Sequence, residues 1–295
     1  MPKAPVEFSL PSIPEAVSDA TSLQFFARRA VEGTLSGLHR SGLFGSSIEF
    51  AEHKLYSPGD DLRHVDWKVY ARADKFYLKR FEEETNLRAY LALDASASMN
   101  FGSIGYTKFN YAVVLAATLA YLFIQQQDLV ALMRFGEGEP LYLPPRGRMP
   151  HFQVLSEILE DSTPSGRFGL VEALGMLRER IHKKGMVIAI SDFLTSVDRI
   201  SQMAKIYRVG QHDVYWIQIL DPAELEFPFS DWSRFRGLEG EPDIETDARQ
   251  VKRSYQREVE RWVGEIRDTA LEHQIKYRTV RTNEPIAQIL ASLAS

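Results

Sequence analysis

Leu87-Arg88-Ala89-Tyr90-Leu91-Ala92-Leu93-Asp94-Ala95-Ser96-Ala97-Ser98-Met99 decides how this chain is read. Apart from Arg88, Leu87 to Leu93 has the length and apolarity of a buried strand. The run stops at a carboxylate followed by hydroxyls at alternate positions, and the alanines between them are small enough for the loop to fold around an ion. In an open α/β sheet, ligands bind in the crevice beyond the carboxyl ends of the strands. Asp94, Ser96 and Ser98 are therefore expected at a binding site. One anionic and two neutral oxygen ligands suit a hard divalent cation such as Mg²⁺, or Mn²⁺ in its place, rather than zinc.

Downstream, strands and helices alternate. A helix apolar nearly all round is expected over Lys108 to Gln126, then a strand at Leu129 to Phe135 and an extended piece at Leu141 to Leu143 before Pro144-Pro145. Helices at His151–Leu159, Leu170–Ile181 and Val197–Tyr207 flank strands Met186–Ile190 and Val214–Leu220. Ser191-Asp192 follows the first of these strands. The spacing predicts a long amphipathic helix over Ala248–His273, packed on its own sheet, then a strand at Ile275–Val280 and a closing helix at Pro285–Leu293. This order implies an α/β fold, a mostly parallel sheet with helices on both faces.

Upstream, residues 1–20 are expected to be a flexible lead-in. Residues 21–86 comprise a helix from a Ser22 cap to about Leu38 and a small β-rich region. Residues 87–295 form the α/β domain, with an inserted turn segment near 222–245.

The chain has 295 residues, 44% hydrophobic and 25% charged, with a net charge of -5. No concentrated basic face marks a nucleic-acid partner. The absence of cysteine excludes disulfides, thiolate metal sites and thiol catalysis. The longest apolar run, Tyr111 to Ile124, is broken by Thr118 and falls short of a bilayer span. No transmembrane segment and a cytoplasmic location are therefore expected. Phosphate-loop, His-Glu-x-x-His and Gly-x-Ser-x-Gly motifs are missing, which points away from an enzyme.

A hydrophobic strand ending in Asp-x-Ser-x-Ser, a buried helix and a later strand ending in Ser-Asp together resemble the von Willebrand factor A fold with its metal-ion-dependent adhesion site. A second set of residues narrows the resemblance. His39-Arg40-Ser41, Gly45 to Phe50, Tyr56, Gly59-Asp60-Asp61, Arg63, Asp66-Trp67 and Ala71-Arg72 look like the signature of bacterial domain-of-unknown-function family 58. Members of that family typically sit beside MoxR-type AAA+ ATPases. The resemblance implies a non-enzymatic protein-interaction module whose partner is a MoxR-type ATPase or its client. It also implies a metal site of Asp94, Ser96, Ser98 and Asp192.

The chain departs from that pattern at one place. The site expects a threonine ahead of a helix, where the sequence reads Ser165-Gly166-Arg167-Phe168-Gly169, so the threonine position holds Arg167 or Phe168. Arg167 would repel a dication and could itself neutralise Asp94 and Asp192, leaving a degenerate, metal-free site. A Mg²⁺-dependent phosphohydrolase using Asp94 and Asp192 is the enzymatic alternative, weakened by Ser96 standing where a second carboxylate is wanted. The plainer reading of both aspartates is a turn residue accepting backbone N–H bonds. For Gly59 to Trp67 it is a structural knot in which Arg63 bridges carboxylates and Trp67 fills a small core.

Overall fold

The computed structural model describes residues 12–35, 53–55, 77–79, 87–167, 169–210 and 212–293. Elements are named in chain order: helices α1 (Ile13–Ala16) and α2 (Ala20–Leu35), then strands β1 (His53–Leu55), β2 (Tyr77–Lys79) and β3 (Arg88–Asp94). A short 3-10 helix, Ala97–Asn100, leads to α3 (Lys108–Gln125), β4 (Leu129–Phe135), β5 (Leu141–Arg146) and α4 (Met149–Glu160). Next come α5 (Leu170–Arg180), β6 (Met186–Ser191), α6 (Val197–Val209), β7 (Asp213–Leu220) and α7 (Pro222–Glu226). The chain closes with β8 (Trp232–Phe235), β9 (Ile244–Asp247), α8 (Ala248–Glu272), β10 (Lys276–Arg281) and α9 (Ile286–Leu293).

Six strands form one sheet in the order β10-β7-β6-β3-β4-β5. Every neighbouring pair is parallel except β4 with β5. The period of two along β3 sorts its side chains between two cores. Ala89, Leu91 and Leu93 face a core shared with α2, α3, α4 and α9, whereas Tyr90 and Ala92 face one shared with α5, α6 and α8. Helices thus cover both faces, as the alternation predicts.

Helix α3 is the centre of the first core. It is long and apolar enough to cross a membrane, but 89% of that stretch is buried inside the fold, where it serves as the core helix. Its start is marked by Thr107, whose hydroxyl accepts the Asn110 N–H while the Asn110 side chain returns a bond to the Thr107 N–H. This reciprocal cap satisfies orphan donors of the first turn.

Three local expectations change. Strand β5 runs through Pro144 and Pro145 to Arg146, which only an edge strand with a register shift tolerates. Helix α2 starts before Ser22, because Asp19 accepts the Ser22 N–H at 2.8 Å and takes the capping role. Within the lead-in, Ile13–Ala16 is helical and Ala16 is fully buried in the main core, so burial orders this part of residues 1–20. The strands β1 and β2 pair antiparallel within the region read as β-rich. Residues Gly59, Asp60, Asp61, Arg63, Asp66 and Trp67 lie outside the described residues.

Candidate metal-binding and docking site

The register of the sheet assembles the site. Leu93 of β3 lies beside Ile190 of β6 in a parallel pair, so the next residues, Asp94 and Ser191, emerge side by side. The Ser191 hydroxyl donates to Asp94 Oδ2, while the backbone N–H of Ser96 donates to Asp94 Oδ1 at 2.8 Å. The hydroxyl oxygens of Ser96 and Ser98 stand 3.1 Å apart. Asp94, Ser96, Ser98 and Asp192 are all buried and gather at the carboxyl end of the sheet.

Two neighbouring loops clamp the Asp94–Ser98 turn. The Ala95 N–H donates to the Phe135 carbonyl at 2.6 Å, Ser165 N–H to the Ala95 carbonyl at 2.8 Å, and Ala97 N–H to the Gly166 carbonyl at 3.1 Å. Gly136 is required by this close approach, since a Cβ there would sit 2.1 Å from the Ala95 carbonyl oxygen.

The two carboxylates have different surroundings. Among the described residues Asp94 has no cationic partner. Burial, then the charge of Asp192, pushes its carboxyl up to about 7, against the lowering effect of the Ser191 and Ser96 hydrogen bonds. Asp192 has one. Lys108, 1% exposed, donates from its ammonium to Asp192 Oδ2 at 2.9 Å and to Glu224 Oε1 at 2.7 Å. Burial alone would lower the Lys108 pKa, but the two carboxylates and their hydrogen bonds outweigh it and hold the amine charged.

Asp192 Oδ1 accepts the Leu194 N–H at 3.0 Å, and the Asp192 carbonyl accepts from the Gln218 side chain at 2.9 Å. Between them Phe193 takes a left-handed conformation, φ +60°, with its ring buried 5.4 Å from Trp216. A non-glycine residue held there is local strain beside the site, kept in place by packing. Both aspartates therefore do act as turn residues. Each nevertheless offers its second oxygen to another group.

Arg167 does not lie between the carboxylates. Its guanidinium reaches the insertion, where a Cβ on Gly240 would meet Nη2 at 2.2 Å, and its charge contributes to holding Glu241 low after the backbone hydrogen bonds at that carboxylate. Phe168 is outside the described residues. The internal cation is Lys108, which sequence reasoning missed together with Glu224 and Ser191. A signal existed for Lys108. A lysine in the first turn of a helix apolar nearly all round opposes the helix dipole and must find carboxylates when buried.

Among the described residues, no group of three or more His, Cys, Asp or Glu side chains is placed to hold a metal. The groups that could hold a cation are the Asp94 carboxylate and the Ser96 and Ser98 hydroxyls, with Asp192 nearby and already bonded to Lys108. Their oxygen-only chemistry and the missing countercharge at Asp94 fit a hard cation.

A family model described as "Protein of unknown function DUF58" matches residues 52–263. An uncharacterized protein of Mycobacterium tuberculosis is 29% identical over 236 residues, 77% of this chain and 74% of the relative. Among solved structures, an aerotolerance-related membrane protein from Bacteroides fragilis superposes with a TM-score of 0.50 at 16% identity, covering 70% of this chain and 96% of that one. The VWA domain of SpRpn10 superposes with a TM-score of 0.46 at 13% identity, over 70% of this chain and 95% of that domain. The fold is von Willebrand factor A-like. The cytoplasmic location expected from the sequence is corrected here. A solved protein of this fold is described as a membrane protein, so a buried apolar helix and an ordinary composition do not place the chain in the cytosol.

Proposed function

The chain belongs to the DUF58 family, and from that membership and the geometry of the site we propose a protein-interaction module that docks partners at the carboxyl end of its sheet. The observation that carries this reading is Asp94: a buried carboxylate with no cation beside it among the described residues, facing a second carboxylate, with two serine hydroxyls in the same turn. Asp94, Ser96 and Ser98 would hold Mg²⁺ or Mn²⁺, and Asp192 would back them from the adjoining strand. Such an ion supplies an open coordination position for a partner's carboxylate. The residues of the chain do the rest. Ser191 and the Ser96 N–H fix the two oxygens of Asp94, and the single Lys108 ammonium is shared by Asp192 and Glu224, so with Asp94 the cluster stays net anionic and suits a cation.

By family resemblance, the proposed partner is a MoxR-type AAA+ ATPase or its client. Titrating MgCl₂ or MnCl₂ into metal-stripped protein tests the ion: the melting temperature rises by mass action in wild type and not in Asp94→Ala. Binding to the ATPase, measured at fixed Mg²⁺ and nucleotide, weakens in Asp94→Ala and Ser98→Ala, chiefly through faster dissociation. Wild-type affinity in both variants would rule out the ion-bridged contact.

A second reading is favoured by Lys108. With its ammonium already between Asp192 and Glu224, the site is an ion-free docking surface whose resident cation is a lysine. Wild-type protein would then show no metal response, while partner binding would still depend on Ser98.

A further inference from the structure

The insertion after β7 builds a cavity over the candidate site. Helix α7 ends at Phe227 in a left-handed turn, φ +46°, which brings its ring against Phe229, Phe235 and Tyr255 at centroid distances of 5.1, 5.5 and 4.6 Å. These rings wall a cavity of about 250 Å³ that Ser98 and Lys108 also line. The candidate ion site and the cavity therefore share Ser98.

Size and lining say what fits. Drug-sized ligands and cofactors occupy pockets of roughly 300–1,000 Å³, so this cavity matches a single large side chain better than a cofactor. Its wall is mainly aromatic and aliphatic. Two of its charges are engaged with each other, Lys108 with Glu224, and Glu241 accepts the Glu239 N–H at 3.0 Å. Leu194 and Leu238 line the cavity and are 59% and 43% exposed, an apolar rim facing solvent beside the Asp94–Ser98 turn. Arg236, on the same rim, makes no ion pair among the described residues and stands with Glu239 and Glu241, so the rim carries charge of both signs.

We propose that this cavity is an anchor pocket for an extended polypeptide, taking one aromatic or large aliphatic side chain that neighbours the carboxylate presented to the Asp94–Ser96–Ser98 turn. The inference rests on the docking reading and adds the chemistry of the partner. Aromatic anchors in desolvated pockets dominate interface energetics, with surrounding contacts excluding water.

The experiment selects a random peptide display library on the immobilised full chain in Mg²⁺ buffer, then measures the enriched peptides by fluorescence anisotropy. The expected peptides carry a large apolar residue next to Asp or Glu. Leu238→Glu and Leu194→Glu should weaken binding by about tenfold or more while melting like wild type, because both side chains are largely exposed. Replacing the peptide's apolar residue by Ala should cost as much in wild type and little further in Leu238→Glu.

Peptides whose binding depends on Mg²⁺ and Ser98 but not on Leu238 or an apolar residue overturn the anchor pocket and leave the docking site standing. Peptides that depend on Leu238 and the apolar residue, but not on Ser98→Ala or Mg²⁺, support the pocket and overturn the ion. No enrichment over the Leu238→Glu protein overturns the pocket. So does wild-type self-association lost in Leu238→Glu, which would make the occupant a second copy.

Discussion

Lys108 is the residue on which the site's charge balance turns. Its ammonium is shared by Asp192 and by one oxygen of Glu224, whose other oxygen accepts the Asp221 N–H at 2.7 Å as part of a capping box on α7. Lys108→Met would leave Asp192 buried and Glu224 half-buried without their cation, and breaking a buried pair in this way costs about 3–5 kcal/mol. Urea unfolding at neutral pH measures that loss. Asp94 behaves in the opposite sense. Its folded pKa of about 7 lies above the unfolded value of about 3.9, so the native state binds the proton more tightly. Without metal, this carboxyl's contribution to stability is fully present below about pH 4 and is lost as pH rises through about 7. Asp94→Asn cannot ionise, so its metal-free stability should fall less over that interval. Unfolding curves of both proteins across the range check the difference. Parallel curves would mean that Asp94 does not titrate there.

Among elements, the loops that clamp the Asp94–Ser98 turn matter more than the strands. Gly136 follows β4 and lies under the Ala95 carbonyl, while Gly166, φ +74°, lies against the Gly136 carbonyl. Gly136→Ala must push the Ala95 carbonyl away and break the turn's bond to Phe135. A cost of about 1–3 kcal/mol is expected, the range for local backbone strain. The metal-induced rise in melting temperature should shrink in parallel. Denaturant unfolding and thermal melts with and without MgCl₂ give both readings, and an unchanged metal response would show that the turn does not need this clamp. In α3, Leu115 is fully buried at the centre of the larger core. Leu115→Ala should destabilise by about 2–5 kcal/mol through lost burial and a residual cavity, and it should leave the metal response of the surviving folded protein intact.

For the whole molecule, site chemistry and global stability are one linked equilibrium. Only the folded chain brings β3 beside β6, so an ion bound there must raise the melting temperature. A proton on Asp94 would compete with such an ion. The rise at saturating Mg²⁺ should therefore be larger near pH 8 than near pH 6, on either side of the Asp94 value of about 7. Equal rises at both values would exclude Asp94 as the ligand. Buried carboxylates stand at three strand ends, Asp94, Asp192 and Asp221, and they differ in their partners. Asp221, after β7, is also buried, but it accepts the backbone N–H groups of Ser103 at 2.9 Å and Ala223 at 2.8 Å and the Ser103 hydroxyl. Asp94, between β4 and β6, accepts one amide and one hydroxyl, and among the described residues it shares with Asp221 the lack of a cation, which Asp192 alone of the three has in Lys108.

The sequence by itself determined the α/β alternation and the ends of the central strands. Apolar runs and their punctuation are local signals, and Asp94, Phe135, Ser191 and Leu220 end their strands as the pattern predicts. It also determined that Asp94, Ser96, Ser98 and Asp192 belong to strand ends, because a carboxylate after a buried run has nowhere else to go. Tertiary structure alone decided which of them meet. The order β7-β6-β3-β4 and its register place Ser191 on Asp94 across 97 positions and Lys108 on Asp192 across 84. No local periodicity encodes such pairings. It decided, too, that Arg167 turns to the insertion while Lys108 neutralises Asp192. Nothing in the sequence marks which cation serves; burial, which penalises every unpaired charge, selects the one that is enclosed with its carboxylates.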